Sequence, residues 1–377
     1  MITLTDEQQQ FRDSLQRMLR TDYSFERRRE IAASDSGWSE ATWSGLAELG
    51  ALALPLPEAH GGLGGGAMDV LVVMEECGRA LLLEPYLATV VMGAGLVARI
   101  GSDAQRAAIL PAVAAGECRL ALAHYESAGR YALDAVATEA RPGGAGWILA
   151  GEKHSVLHGA AADRLLVSAR TPRGLSLFLV ERGAPGLAVS DYPQYDGQRA
   201  ATIRLDQVRV DAGALLGGEG AAAEAIEYTI DAAIAAVCAE AVGAMGALLE
   251  ATGQYLKTRR QFGVPIGSFQ VLQHRMADML LETEKARSMA LLAASRLADA
   301  TRDERRRIVS AAKVKVGEAA RLVGQQAVQL HGGIGVTDEL AVGHYFKRLT
   351  MIELAFGDID YHLGQVGSRI FDGTSTG

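Results

Sequence analysis

Cysteine is scarce in this chain: Cys77, Cys118 and Cys238 are the only three, and none stands in a C-x-x-C pair. That spacing excludes a disulfide-stapled scaffold and a paired-cysteine metal or redox motif. The three read as small buried hydrophobes in a reducing compartment. Basic charge is not in excess either. Lys and Arg number 37 against 45 Asp and Glu, a net charge of −8, without the basic stripe of a nucleic-acid binder. No run reaches the ~18 uninterrupted apolar residues of a membrane span. The polar start, Thr3-Leu4-Thr5-Asp6-Glu7, lacks a charged-then-apolar signal region, so a cytoplasmic protein is expected. Metal and hydrolase signatures are missing too. His154 and His158 are spaced like ligands but lie in strand-like sequence with no third ligand near, so no metal site is expected. No serine occupies a G-x-S-x-G elbow. Gly62 to Ala67 matches G-x-G-x-x-A, yet no strand precedes it and no βαβ frame surrounds it. A flexible connection entering a helix at Met68 is the expected structure there.

What is present is a large, ordinary globular composition, with 49% hydrophobic and 22% charged residues over 377 positions. That is enough for two or three domains. Thr5 caps a first helix carrying Phe11, Leu15, Met18 and Leu19, and Ser39 opens a second carrying Trp43, Leu46 and Leu49. Helical patterning runs to about Ala115. From Cys118 to Val210 it gives way to short apolar runs: Leu120–Ala123, Trp147–Leu149, Leu165–Val167, Leu177–Val180 and Thr202–Val210. In the last, apolar Ile203 and Leu205 alternate with polar Arg204 and Asp206, which is the signature of a half-buried strand. Short strands without helices between them point to a small antiparallel barrel or sandwich. Long Ala-rich helices follow over Ala221–Thr258, Gln270–Ala298 and Asp303–Leu330, a pattern suited to a bundle. The expected class is α+β, with a helical domain over 1–116, a β domain over 117–219 and a helical bundle over 220–377.

Two separated segments in the helical C-terminal part draw attention. Arg259 and Arg260 follow a long helix and precede Phe262-Gly263, with Gln270 downstream, and Gln329-Leu330-His331-Gly332-Gly333 lies far along the chain. Arginines there are either cations favoured at a helix C-terminus or a fork for phosphate oxygens, with Gly263 allowing close backbone approach. Amides and bare backbone at Gln270, Gln329, Gly332 and Gly333 suit the rim of an adenine or ribose. His331 is read as capping or packing rather than catalytic.

These segments resemble the flavin-binding signatures of the acyl-CoA dehydrogenase family. Pro57 to Gly62 resembles its P-E-x-x-G-G loop and Gly151-Glu152-Lys153 its G-x-K strand signal. The likeness covers nearly the whole chain. Leu256–His274 and Gly343–Met351 are similar to the small subunits of pimeloyl-CoA dehydrogenases in particular. The resemblance implies an N-terminal helical domain, an antiparallel β-barrel and a C-terminal four-helix bundle. It implies FAD as cofactor, an acyl-CoA thioester as substrate and electron-transfer flavoprotein as electron acceptor. In the reaction a carboxylate removes the α-proton while the β-hydride passes to the flavin. Arg259, Phe262, Gln270, Gln329, Gly332 and Gly333 fall on the FAD signatures that reach a neighbouring subunit's cofactor.

The chain also departs from the family pattern. Where the family carries its catalytic Glu, this sequence has Gly357, and at the earlier alternative position it has Ala233. Asp358 is the nearest carboxylate. The family's Thr-Glu pair becomes Tyr125-Glu126, its Trp-Ile-Thr becomes Ser155-Val156-Leu157, and its Gly-Ser-Asp loop becomes Arg130-Tyr131-Ala132. The expectation is one subunit of a heteromeric, α2β2 acyl-CoA dehydrogenase of fatty-acid β-oxidation type. A larger partner then supplies the base and most of the flavin site. The alternatives are a homotetramer using Asp358 as base and a non-catalytic scaffold. Medium-length dicarboxylyl, fatty and ring-bearing acyl thioesters all stay open.

Overall fold

The computed structural model describes residues 4–372. Helices α1 (Asp6–Asp22), α2 (Phe25–Ala33), α3 (Glu40–Glu48) and α4 (Ala67–Ala80) are followed by a π-helix (Leu87–Ala94), α5 (Gly95–Ile100) and α6 (Asp103–Ala114). Strands come next: β1 (Leu120–Ala123), β2 (Glu139–Gly143), β3 (Gly146–Leu157), β4 (Arg164–Thr171), β5 (Gly174–Glu181), β6 (Leu187–Pro193), β7 (Arg199–Asp211) and β8 (Leu215–Leu216). The chain then returns to helix in α7 (Ala223–Thr258). The short strands β9 (Arg260–Gln261) and β10 (Val264–Pro265) lead into α8 (Gln270–Arg296), α9 (Arg302–His331), α10 (Ala341–Leu354) and α11 (Ile359–Asp372). Helices, sheet and helices follow in the order expected.

Local signals start the helices where the sequence places them. Thr5 accepts from the Gln8 amide at 3.2 Å while the Gln8 side chain returns to the Thr5 amide at 3.1 Å, a complete capping box. Ser39 accepts from Thr42 at the start of α3. Helix α2 carries no clear periodicity in the sequence. Its run Glu26-Arg27-Arg28-Arg29-Glu30 masks the periodicity, since only Arg28 and Ile31 are buried. The Gly-rich connection before α4 is not flexible. Leu63, Gly64 and Gly65 donate to Ala53, Leu56 and Leu54, and a Cβ on Gly62 would lie 2.0 Å from the Leu56 carbonyl oxygen. Backbone packing, not phosphate binding, requires that glycine.

Two compact units form, residues 29–66 with 83–233 and residues 4–28 with 67–82 and 234–372. The first holds one eight-stranded sheet ordered β6-β7-β3-β2-β4-β5-β8, with β1 added beside β4. Most pairs are antiparallel, as expected, but β1 and β2 both run parallel to β4. Inward residues such as Leu149, Val167, Phe178, Ile203 and Val208 form its core. The alternation of β7 slips once: Leu205 pairs with Gly151 and Val208 with Leu149, and the extra residue is taken up at Gln207, whose φ is +52°. Strands β2 and β6 lacked a sequence signal for a physical reason. β6 is an edge strand without a fully buried residue, and β2 buries only Ala140. The π-helix seats on β1, where Thr89 Oγ1 both accepts from the Leu120 amide and donates to its carbonyl.

In the second unit α8, α10 and α11 pack on α9, and α1 packs on α4. Helices α4 and α7 touch backbone to backbone. A Cβ on Gly243 would lie 1.8 Å from the Glu75 carbonyl oxygen, and one on Gly78 would lie 1.9 Å from that of Glu240. The same two glutamates anchor buried ion pairs. Glu240 holds Arg348 of α10 through two bonds of 2.6 and 2.7 Å, and Glu75 sits between Arg12 of α1, at 2.6 Å, and Arg287 of α8. Helix α7 is long and apolar enough to cross a membrane by composition, a feature the sequence reading did not single out, but 78% of the window concerned is buried inside the protein. It is a core helix. Cys77, Cys118 and Cys238 are free and buried, and burial pushes the Cys238 thiol up to about 12.

Candidate functional site

The chain leaves α7 through a hairpin whose tip is Phe262-Gly263, with φ of +52° and +81°. Two left-handed residues in a row make the turn that matches strand twist, normally at Asn-Gly. Glycine adopts this freely, whereas a bulky aromatic pays for it. Phe262 nevertheless sits there 90% exposed, its ring meeting Phe269 edge-on at 6.2 Å. The two arginines divide their work. Arg260 donates to the Gly263 carbonyl at 2.9 Å and braces the turn. Arg259 is exposed, and its guanidinium pairs with nothing among the described residues. It is the free fork. Gln270, exposed, opens α8.

The second segment is brought alongside by packing that the sequence did not announce. The Tyr255 ring near the end of α7 stacks on His331 at the end of α9, with centroids 4.4 Å apart and planes inclined by 26°. Tyr255 also donates to the His331 carbonyl at 3.3 Å. His331 Nδ1 lies 2.8 Å from the Ala327 carbonyl, and burial lowers the imidazole below its ordinary pKa. His331 is therefore a neutral splice between helices, in line with its reading as a packing residue. Arg275 adds a bond to Gln326 at 2.9 Å, tying the start of α8 to α9. Gln329, Gly332 and Gly333 are exposed beyond this splice. A Cβ added at Gly263, Gly332 or Gly333 would meet nothing within 4 Å. These glycines leave open backbone rather than filling tight packing. An exposed guanidinium, two exposed amides and open glycine backbone form a donor set that fits a dinucleotide's pyrophosphate and adenine.

At the other end of the same unit, Asp358 precedes α11 and caps it, its Oδ1 accepting from the Tyr361 amide at 2.8 Å. Gly357 beside it has φ +126°. Ala233, the other position where a base stands in the family, is wholly buried in α7.

In the sheet unit, the residues at the Thr-Glu position form a closed polar network. Lys153, with 0% exposure, donates to Glu126 at 2.7 Å, to Ser168 Oγ at 3.1 Å and to the His124 carbonyl at 3.2 Å. Glu126 further accepts from the Ala137 and Thr138 amides and the Thr138 hydroxyl, at 2.7, 3.0 and 2.7 Å. It thereby closes the loop 127–136, in which Arg130 has φ +45°. Beyond Lys153, strand β3 bulges: Lys153 pairs with Ile203 but Val156 with Ala201, and Ser155 has φ +51°. This bulge and Leu157 stand where the family offers a hydroxyl.

The network sets a pH dependence. Burial pushes the Glu126 carboxyl up, but Lys153, Thr138 and the two amides outweigh it and hold the folded pKa at about 2. Its ordinary value is 4.5. Glu126 thus adds stability that is complete above pH 4.5 and is lost as pH falls toward 2. Glu126→Gln is expected to unfold more easily at neutral pH and to show a flatter stability profile across that acid window. Equal profiles in urea titrations at pH 3 and pH 6 would contradict the assignment.

Descriptions of the N-terminal, middle and C-terminal domains of acyl-CoA dehydrogenase match residues 5–117, 121–208 and 218–371. The chain belongs to the acyl-CoA dehydrogenase family, oxidoreductases that act on a CH–CH group with FAD. It is 32% identical to the probable acyl-CoA dehydrogenase YngJ of Bacillus subtilis, over 84% of this chain and 86% of that one. It is 30% identical to the acyl-CoA dehydrogenase FadE27 of Mycobacterium tuberculosis, over 92% of each. Among solved structures, a variant of the Tcur3481-Tcur3483 steroid ACAD superposes with a TM-score of 0.90 at 33% identity, covering 99% of this chain and 100% of that one. The ChsE4-ChsE5 complex of Mycobacterium tuberculosis superposes with a TM-score of 0.90 at 28% identity, covering 98% of each. The fold is the family's, with helical N-terminal, β middle and helical C-terminal parts.

Proposed function

We propose that this chain is one subunit of a heteromeric, α2β2 acyl-CoA dehydrogenase. In this reading it lends Arg259, Phe262, Gln270, Gln329, Gly332 and Gly333 to an FAD held largely by a larger partner, which also carries the base. The observation that carries it is the contrast between the two ends of the α7–α11 unit. The FAD-signature residues are exposed around a strained, outward-pointing Phe262, while the base position is a glycine. The two-protein names of the Tcur3481-Tcur3483 and ChsE4-ChsE5 relatives support a partner of the same family.

FAD, when bound, supplies the hydride acceptor for oxidation of the acyl chain. Arg259 neutralises pyrophosphate charge, the open glycines admit it close to backbone, and Gln270 and Gln329 hydrogen-bond the adenine side. Electrons leave to electron-transfer flavoprotein. The acyl chain is medium-length or dicarboxylyl, after the small-subunit likeness to pimeloyl-CoA dehydrogenase, or ring-bearing, after the steroid relative. Asp358 as base of a homotetramer is the second reading, favoured by its place next to Gly357. Its Oδ1 is already committed to capping α11. Asp358→Ala leaving turnover intact would remove that reading. A scaffold has no use for an unpaired Arg259 beside open glycine backbone.

The test is flavin occupancy. The chain purified alone is expected to hold well under one FAD. In the co-purified complex, Arg259→Ala removes a charge-assisted bond and is expected to weaken FAD by about 10- to 100-fold. Unchanged occupancy would defeat the trans-donor role.

A further inference from the structure

We infer that His362 shuts this chain's own base position, held in place by Ser310, while Lys313 fixes the turn against it. The inference rests on the heteromeric reading and says what fills the place that reading leaves without a carboxylate.

Gly357 lies between α10 and α11 with φ +126°, a backbone conformation side chains rarely adopt. A Cβ built there would be 2.5 Å from Tyr361 Cδ1, 2.6 Å from His362 Nε2 and 2.9 Å from His362 Cδ2. Those separations are well inside van der Waals contact. A vacant base position would show open space, as Gly332 and Gly333 do; this one is filled by the Tyr361 and His362 rings of the following helix. The imidazole is not free to move aside. His362 is 2% exposed, and its Nδ1 lies 3.1 Å from Ser310 Oγ of α9.

The same helix holds the turn as well. Lys313 of α9, 1% exposed, donates to the Glu353 and Gly357 carbonyls, both at 2.7 Å. Glu353 Oε1 accepts from the Ile359 amide at 3.3 Å, and Asp358 caps α11. Burying an ammonium is costly unless its donors are used, and here two of them are spent on the carbonyls of this one turn. The carbonyl directions, and hence the path of Gly357, follow from where Lys313 sits.

A carboxylate carried at 357 therefore has neither the backbone nor the room to reach a thioester α-carbon. The chain cannot remove that proton from its own position 357, which agrees with the reading in which the partner carries the base.

The experiment is a mutant cycle on the full chain: parent, Gly357→Glu, His362→Ala and the pair. Thermal melting is one readout. The other is exchange of the α-protons of octanoyl-CoA in deuterated water, followed by mass. Gly357→Glu is expected to melt about 5 °C or more lower and to give no α-exchange. The losses should not add: the double variant should melt no lower than Gly357→Glu alone, because removing the imidazole relieves its share of the clash while the Tyr361 contact stays. Should the glutamate prevent folding, Gly357→Ala replaces it in the same cycle. Parent-like melting of the Gly357 variant, additive losses, or α-exchange by Gly357→Glu alone would each overturn the inference. Melting needs neither FAD nor partner, so this result stands or falls separately from the Arg259 occupancy test.

Discussion

Glu240→Ala is expected to cost about 3–5 kcal/mol of folding stability, because it breaks a buried ion pair by removing one partner. Arg348 enters the bundle on α10 and spends two bonds, at 2.6 and 2.7 Å, on the two oxygens of Glu240. The side chains are only 12% and 4% exposed. Removing the carboxylate takes away the counter-charge and two acceptors that offset the desolvation of the guanidinium. The geometry matters as well as the charge, since the fork meets the carboxylate with parallel bonds. Glu240→Gln keeps one acceptor oxygen and should lose less. The measurement is the urea midpoint followed by far-UV circular dichroism. A Glu240→Ala chain with the parent's midpoint would show that Arg348 finds another partner.

Gly243→Ala is expected to do comparable damage with a single methyl group. Its Cβ would fall 1.8 Å from the Glu75 carbonyl oxygen and 3.1 Å from the Arg79 amide nitrogen. Both are helix backbone atoms, which cannot rotate away. Helices α4 and α7 would have to separate, and overpacking of this kind costs about 3 kcal/mol or more. Gly78→Ala meets the mirror contact on Glu240 and should behave alike. Gly246→Ala is the control, since its nearest neighbour is the end of the Arg79 side chain at 3.3 Å. If all three variants give equal soluble yield and equal midpoints, the close crossing does not limit stability.

Much of this architecture was legible because its signals are local. Long Ala-rich segments fixed α7, α8 and α9 nearly to the residue, and Thr5 and Ser39 announced their helices. Where burial is one-sided and thin the signal fails. Helix α2 hides its buried face under five consecutive charges, and β6 has no buried residue to alternate. The FAD-signature residues were readable as a motif, and the motif singled out Arg259, but it gave Arg260 no task. The hairpin shows that Arg260 braces the turn while Arg259 is free. Nor could spacing reveal Tyr255 as the residue that joins the two segments. Lys313 and His362 were invisible for a related reason. Each sits within an ordinary helical stretch, and its significance lies in a glycine turn packed against it from elsewhere in the fold.

The Phe262 turn carries a consequence for the thermodynamics of assembly. A flexible loop that closes on a ligand gives up conformational freedom at that moment, and the loss is subtracted from affinity. Here both left-handed residues are set by the hairpin and by the Arg260 brace while the tip still faces solvent. The ordering cost has been met during folding. On the proposed heteromeric reading, docking of the aromatic tip should therefore show a small entropic penalty and a negative heat-capacity change from burying its ring. Loosening the brace with Arg260→Ala should shift the loss into the entropy of binding while leaving the contacts of the docked state as they were.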